Sequence, residues 1–207
     1  MKNRIVGDVK MRRNKYVIGI DPGKRGGIAA ISLEDRKVVF TSKMPIVGED
    51  YDYEKIDQIM SDNKDNIAMI CIEKVGYMGR DTASSIASLC YHAGVLYGMA
   101  YSLNIPITVI APSAWKKGIG LPAIGAKRGT KTETEEEKKI RQRENAKIKK
   151  KAKGNSISLA YELHPELRGR TDALTDGEAE AILIADYYIK LWYGENDEKR
   201  NRSTKNK

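Results

Sequence analysis

Cysteine is nearly absent from this sequence, and with it one way of holding a fold together. Cys71 and Cys90 are the two in 207 residues, too few for a disulfide framework. Both sit in apolar runs and read as reduced core thiols of a cytosolic protein. Phenylalanine occurs once, against 11 Tyr and two Trp, so most rings carry a polar handle suited to wet interfaces and to bases. No stretch approaches the roughly 20 apolar residues of a membrane span. The basic N-terminal stretch is followed by no apolar run, so no signal peptide is expected. No internal repeat is visible.

What the chain has in excess is positive charge. There are 37 Lys+Arg against 28 Asp+Glu, a net charge of +9. Such an excess favours a polyanionic partner, because each cation placed on a phosphate releases condensed counterions. The length suits one generous domain with appendages: a basic N-terminal arm over 1–14, a domain over 15–194, and a polar basic tail over 195–207.

The most informative segment is Tyr16-Val-Ile-Gly-Ile-Asp-Pro-Gly-Lys-Arg-Gly-Gly-Ile-Ala-Ala-Ile31. It reads as a buried strand ending in a carboxylate, a glycine turn and a second strand. An acid at the end of a core strand is costly to bury without a charged partner, and a metal cation is the usual one. Pro22-Gly23 and Gly26-Gly27 are expected to give the turn its φ freedom and to let a ligand approach the backbone.

Apolar patterning predicts strands over 16–21, 27–33 and 36–43, a helix within 51–63, and a doubly covered strand over 67–73. A long helix capped by Asp81 or Thr82 should run to about 102, followed by a strand over 107–110. Between 127 and 153 stand twelve Lys/Arg and five Glu with hardly an apolar residue, which reads as a solvated or disordered insertion at about 125–153. Helices are predicted over 155–163 and, capped by Thr175, over 176–193. The order β-β-β-α-β-α-β-α-α is that of an α/β, ribonuclease H-like mixed sheet: three antiparallel strands, then parallel ones, flanked by helices.

That order gathers four acids. Asp21 ends the first strand, and Glu73 ends the fourth, which pairs in parallel beside it. Asp176 and Glu180 are four apart on the last helix and share a face. Each alone has a plainer reading, as a turn residue, a strand end, a helix cap and a surface charge. Together, four repelling carboxylates call for two divalent cations, Mg²⁺ with Mn²⁺ able to substitute, one activating a water and the other stabilising a leaving 3′-oxygen. Asp172 is the rival for the third position, and Glu178 should face away.

Several motifs resemble RuvC-type Holliday-junction resolvases over about 16–190. Gly19-Ile-Asp-Pro-Gly-Lys-Arg-Gly-Gly is similar to the first motif of that family and Cys71-Ile-Glu-Lys-Val to the second. The stretch Ile105-Pro-Ile-Thr-Val-Ile-Ala-Pro-Ser-Ala-Trp-Lys-Lys resembles the Trp/Lys segment, and Lys153-Gly-Asn-Ser-Ile-Ser-Leu-Ala-Tyr-Glu-Leu-His-Pro the Lys-led helix. Asp176-Gly-Glu-Ala-Glu-Ala resembles the closing acidic motif in its phage-borne form. The resemblance implies a homodimeric endonuclease that binds four-way and branched DNA and cuts opposing strands in the cytoplasm, that of the bacterial host if the protein is phage-encoded, with no nucleotide cofactor and no membrane partner. It implies Asp21, Glu73, Asp176 and Glu180 as metal ligands, Lys117 as a catalytic cation, and Tyr77, Arg80, Lys116, Lys117 and Lys153 as DNA contacts. Which lysine is catalytic stays open, as do a flap or fork substrate and a non-catalytic binding role. An actin-like phosphotransferase would need a second copy of the domain. Trp115 reads as a packing anchor, His92 as a satisfied interface histidine and His164 as a helix terminus.

Overall fold

A strand that alternates its side chains between two faces needs apolar cover on both, and the central strands here have it. The computed structural model describes residues 15–76, 82–121, 127, 129–130 and 132–194. The arm over 1–14, the tail over 195–207, Tyr77 and Arg80 lie outside them.

The chain runs β1 (Tyr16–Asp21), β2 (Gly27–Ser32), β3 (Val38–Lys43), a small hairpin of β4 (Ile46–Val47) and β5 (Asp50–Tyr51), α1 (Tyr53–Ser61) and β6 (Ile67–Glu73). There follow α2 (Ala83–Ser102), β7 (Ile107–Ile110), α3 (Pro112–Gly118), α4 (Glu135–Leu163), a 3₁₀ turn (Pro165–Gly169) and α5 (Asp176–Ile189), extended by a π turn (Lys190–Gly194). The main sheet has the order β3-β2-β1-β6-β7. β1 is antiparallel to β2 and β2 to β3, whereas β6 runs parallel to β1 and β7 parallel to β6. This is the mixed sheet expected from the sequence.

Period-two alternation divides the core. Tyr16, Ile18, Ile20, Ile28, Ala30, Ile70 and Ile72 pack with Ile56 and Met60 of α1 and Leu96 and Ala100 of α2. Val17, Ala29, Ile31 and Cys71 pack on the other face with α5, Trp115 and Ala160 of α4. Asp21 and Glu73 have the parity of Val17 and Cys71, so both carboxylates fall on the α5 face at one edge of the sheet. Burial pushes the Cys71 thiol up, as expected of a core thiol. Cys90 is exposed, contrary to expectation, because α2 buries one face and leaves the other bare.

The charged segment is also not as expected. Its residues from Glu135 onward are the N-terminal two-thirds of α4, a 29-residue helix. Thr134 accepts the Glu137 backbone N–H while Glu137 reaches back to the Thr134 N–H, a capping box. Such caps and many straight-chain residues favour helix even without a core-facing stripe. The C-terminal end of α4 is locked by the buried His164, whose Nε2 lies 2.8 Å from Asp186 of α5 and Nδ1 3.2 Å from Glu166. Burial works against the imidazolium, but these two carboxylates outweigh it and raise the His164 pKa.

The glycines of the first turn serve a different purpose from the one expected. Among the described residues only Gly48 and Gly120 are glycines at positive φ, so neither Gly26 nor Gly27 is there for φ freedom. Gly26 instead bridges Gly177 at the start of α5. A Cβ on Gly177 would overlap the Arg25 carbonyl oxygen, and one on Gly27 would come to 2.8 Å from the Glu178 Cα. The helix N-terminus is seated on the hairpin backbone to backbone.

Gly177→Ala therefore has backbone, not a flexible side chain, in its way. It is expected to lower the unfolding free energy by about 1–3 kcal/mol, the scale of overpacking, measured by urea denaturation. Gly154→Ala, whose Cβ meets nothing within 4 Å, should not destabilise.

Candidate active site

The four acids meet where β1, β6 and α5 converge. Asp21 and Glu73 come from adjacent parallel strand ends, and Asp176 and Glu180 from the first turns of α5. The Asp21 carboxyl is pushed up to about 8, first by burial, then by the charges of Glu73 and Glu180 and, more weakly, Asp176, with Lys116 opposing. All three other acids thus act on Asp21. Burial also raises Glu73; the Trp115 N–H and Lys116 oppose that rise, and the Glu180 charge adds to it.

The carboxylates are held in place. The indole N–H of Trp115, fully buried, donates to Glu73 Oε1 at 2.8 Å. Lys116 Nζ lies 3.3 Å from both oxygens of Glu180 and 4.8 Å from the Trp115 ring centre. The hydroxyl of Ser156, on α4, donates to Glu180 Oε1 at 3.3 Å, and Lys153 of α4 pairs with Asp176. A cavity of about 670 Å³ opens beside them, lined by Asp21, Glu73, Lys116 and, from α2, Ser85 and Leu89.

The short helix α3, unforeseen in the sequence, decides which lysine enters the site. Consecutive residues on a helix point about 100° apart. Lys116 faces Glu180, whereas Lys117 lines a separate cavity with Tyr187 and Lys190. Asp172 is exposed and held by Arg170, which also donates to Glu178 at 3.1 Å. Glu178 itself is buried, accepting from Thr175 and Thr41, and so faces away from the four acids. His92 stacks on Tyr51 at 4.0 Å, with Tyr53 and Asp50 at its nitrogens, a satisfied packing histidine. Trp115 is a packing residue whose hydrogen bond to Glu73 the sequence did not announce, and Ser156 was not singled out at all. A helix position three after Lys153, on the same side, was the only available signal for it.

Four carboxylates form a set of hard oxygen donors of the kind that suits Mg²⁺ or Mn²⁺. As the side chains stand, no three acidic, His or Cys groups among the described residues close on one ion position. Asp176 and Glu180 are turned to lysines, which supply the positive charge that the buried acids require. The donor chemistry, the mutual repulsion recorded at Asp21 and the adjacent cavity fit a divalent cation.

No protein-family model matches the chain, and no curated protein matches it in sequence. Solved structures do match in fold. A RuvC of T. thermophilus in complex with a Holliday junction substrate superposes with a TM-score of 0.56 at 12% identity, covering 86% of this chain and 96% of that one. A second Thermus thermophilus RuvC structure gives 0.51 at 13% identity, covering 85% and 96%. At these identities the likeness is one of fold: the chain has the ribonuclease H-like architecture of the RuvC structures, over most of its length.

Trp115→Phe keeps most of the ring volume and removes the donor to Glu73. A hydrogen bond to the charged form lowers a carboxyl pKa, so its loss is expected to raise that of Glu73 further, read by carboxyl ¹³C NMR against pH. Stability should fall by about 1.5–3 kcal/mol, the range for hydrogen bonds to charged groups. An unchanged Glu73 titration would show the bond to be absent in solution.

Proposed function

We propose that this protein is a divalent-cation-dependent endonuclease that resolves Holliday junctions and related branched DNA by paired, symmetric nicks. The observation that carries the reading is the convergence of Asp21, Glu73, Asp176 and Glu180 with Lys116 at one sheet edge. The fold shared with a RuvC bound to a Holliday junction substrate supports the choice of DNA, and the net charge of +9 agrees with a polyanionic partner.

In this reading Asp21, Glu73, Asp176 and Glu180 hold two Mg²⁺ ions. When bound, the ions supply activation of the attacking water and charge stabilisation at the leaving 3′-oxygen. Trp115 orients Glu73 by occupying Oε1 and leaving Oε2 available. Lys116, released from Glu180, is placed to meet the scissile phosphate and its developing charge. Lys153 offers a second cation beside Asp176. Lys117, which lines the other cavity, is the less suited of the three to the chemical step.

Symmetric cutting needs two such sites related by a two-fold axis, and α2 offers a surface for that. The helix contains no charged residue over its 20 positions. Its inner face is His92, Leu96 and Ala100. The opposite stripe, Ala87, Tyr91, Gly94, Gly98 and Tyr101 at i, i+4, i+7 spacing, is exposed, with Tyr101 at 75%. Gly94 and Gly98 leave open space where side chains would stand, which lets a second helix approach closely.

Two experiments test the reading. Asp21→Asn and Glu73→Gln are each expected to lower Mg²⁺-dependent cleavage of a labelled four-way junction by about 10³-fold or more while retaining junction binding, measured on denaturing gels and by gel shift. Retained cleavage in either variant would sink the site, and cleavage confined to flaps or forks would move the substrate. Gly94→Arg is expected to yield monomers by equilibrium sedimentation and to uncouple the two nicks. A wild type that stays monomeric at micromolar concentration would count against the dimer.

A further inference from the structure

Because the charged segment is helical, its cations have definite directions, and they are not spread evenly. Lys139, Arg143, Lys147, Lys150 and Lys153 follow one another at spacings of four, four, three and three. At about 100° per residue they fall within an arc of about 120° along α4. All five are exposed. Four of the five acids of this region are engaged elsewhere: Glu133 with Arg141 at 2.6 Å, Glu144 with Lys127 at 2.9 Å, Glu135 with Lys138 at 3.2 Å, and Glu137 in the capping box; the fifth, Glu136, is exposed in the first turn of α4, beyond the outer end of the row. None of those partners belongs to the stripe. Lys139, Arg143, Lys147 and Lys150 make no ion pair with any described residue, and the inner end of the row, Lys153, reaches Asp176. A row of cations therefore starts at the acidic site and runs outward for about 21 Å at 1.5 Å per residue.

We infer that this face of α4 is a phosphate rail that takes one duplex arm of a DNA substrate as it leaves the acidic site. The inference rests on the nuclease reading and adds to it a second binding surface. The row spans about six base pairs of duplex at 3.4 Å each. Flexible lysines at helical spacing meet phosphates as point charges and reach no base edge in a defined geometry, so the rail supplies affinity and orientation without sequence choice. The Lys127–Glu144 pair and the hydrogen bonds of the buried Asn145 to the Lys127 backbone, at 2.7 and 3.2 Å, brace the same stretch of helix on another side.

The test neutralises the four outer cations together, as Lys139→Gln, Arg143→Gln, Lys147→Gln and Lys150→Gln, with Lys153 left intact. Glutamine preserves helix propensity, and circular dichroism checks that α4 persists. The control for surface charge removal is Lys55→Gln with Lys64→Gln, on and just beyond α1. Affinity for a four-way junction and for a plain duplex is measured at several salt concentrations. The rail variant is expected to bind both at least about tenfold more weakly at 0.1 M salt. Its slope of log affinity against log salt should be shallower by about 0.9 for each phosphate that the rail no longer neutralises. Cleavage position on a saturated complex should be unchanged, and the control should keep the wild-type slope. An unchanged slope in the rail variant, or an equal flattening in the control, overturns the rail. If the wild type binds duplex through the rail but cleaves no branched DNA, the rail stands and the nuclease reading falls.

Discussion

The close seating of the α5 N-terminus on the β1–β2 turn is the constraint on which the rest of this molecule depends. Gly26 and Gly177 pair backbone to backbone, and Gly27 sits against Glu178. Gly19 continues the close approach, since a Cβ there would overlap the Ala181 carbonyl oxygen. With no side chain between them, helix and strand bring Asp176 and Glu180 to the edge where Asp21 and Glu73 emerge. A side chain at Gly19, Gly27 or Gly177 would push helix and hairpin apart and separate the acids, whereas one at Gly26 would overlap the Asp21 carbonyl oxygen within the turn.

That proximity has an electrostatic consequence. Burial, together with the charges of Glu73, Glu180 and Asp176, pushes the Asp21 carboxyl up to about 8. The surrounding protein answers with donors drawn from different elements: Trp115 and Lys116 from α3, Ser156 and Lys153 from α4. These contacts hold Glu73, Asp176 and Glu180 at one edge of the sheet beside Asp21. The capping box of Thr175 and Glu178 and the Arg170 bridge perform the same task for the helix start itself. They keep the remaining acid of that turn, Glu178, out of the site.

The two faces of the molecule divide the work. On the α5 face the core is continuous with the acidic site, so α4 and α5 carry both packing residues and members of that site, and the His164 bridge to Asp186 and Glu166 fixes their relative position. On the other face α2 packs one side on the sheet and leaves an uncharged stripe outside. Basic residues collect where neither constraint acts, on the outer length of α4, which is free of any core-facing requirement.

Short apolar runs between turn residues were enough to mark the strands, and their order along the chain, three strands and then strands alternating with helices, is that of the mixed sheet observed. The same order put the strand ends of Asp21 and Glu73 side by side, and helical spacing put Asp176 on the face of Glu180. Those inferences need only local geometry. The sequence could not say that the turn glycines are there for helix seating rather than for φ freedom, since both uses look alike in one dimension. Nor could it say that residues from 135 are helical, because a charged run with no apolar stripe carries no periodic signal, and its cap, Thr134 with Glu137, is short. The choice of Lys116 over Lys117 at the acids turns on a single step of about 100° along α3, and the role of Trp115 depends on a hydrogen bond across 42 residues of chain. Interactions between distant segments are decided by how the elements pack, and only the tertiary structure contains them.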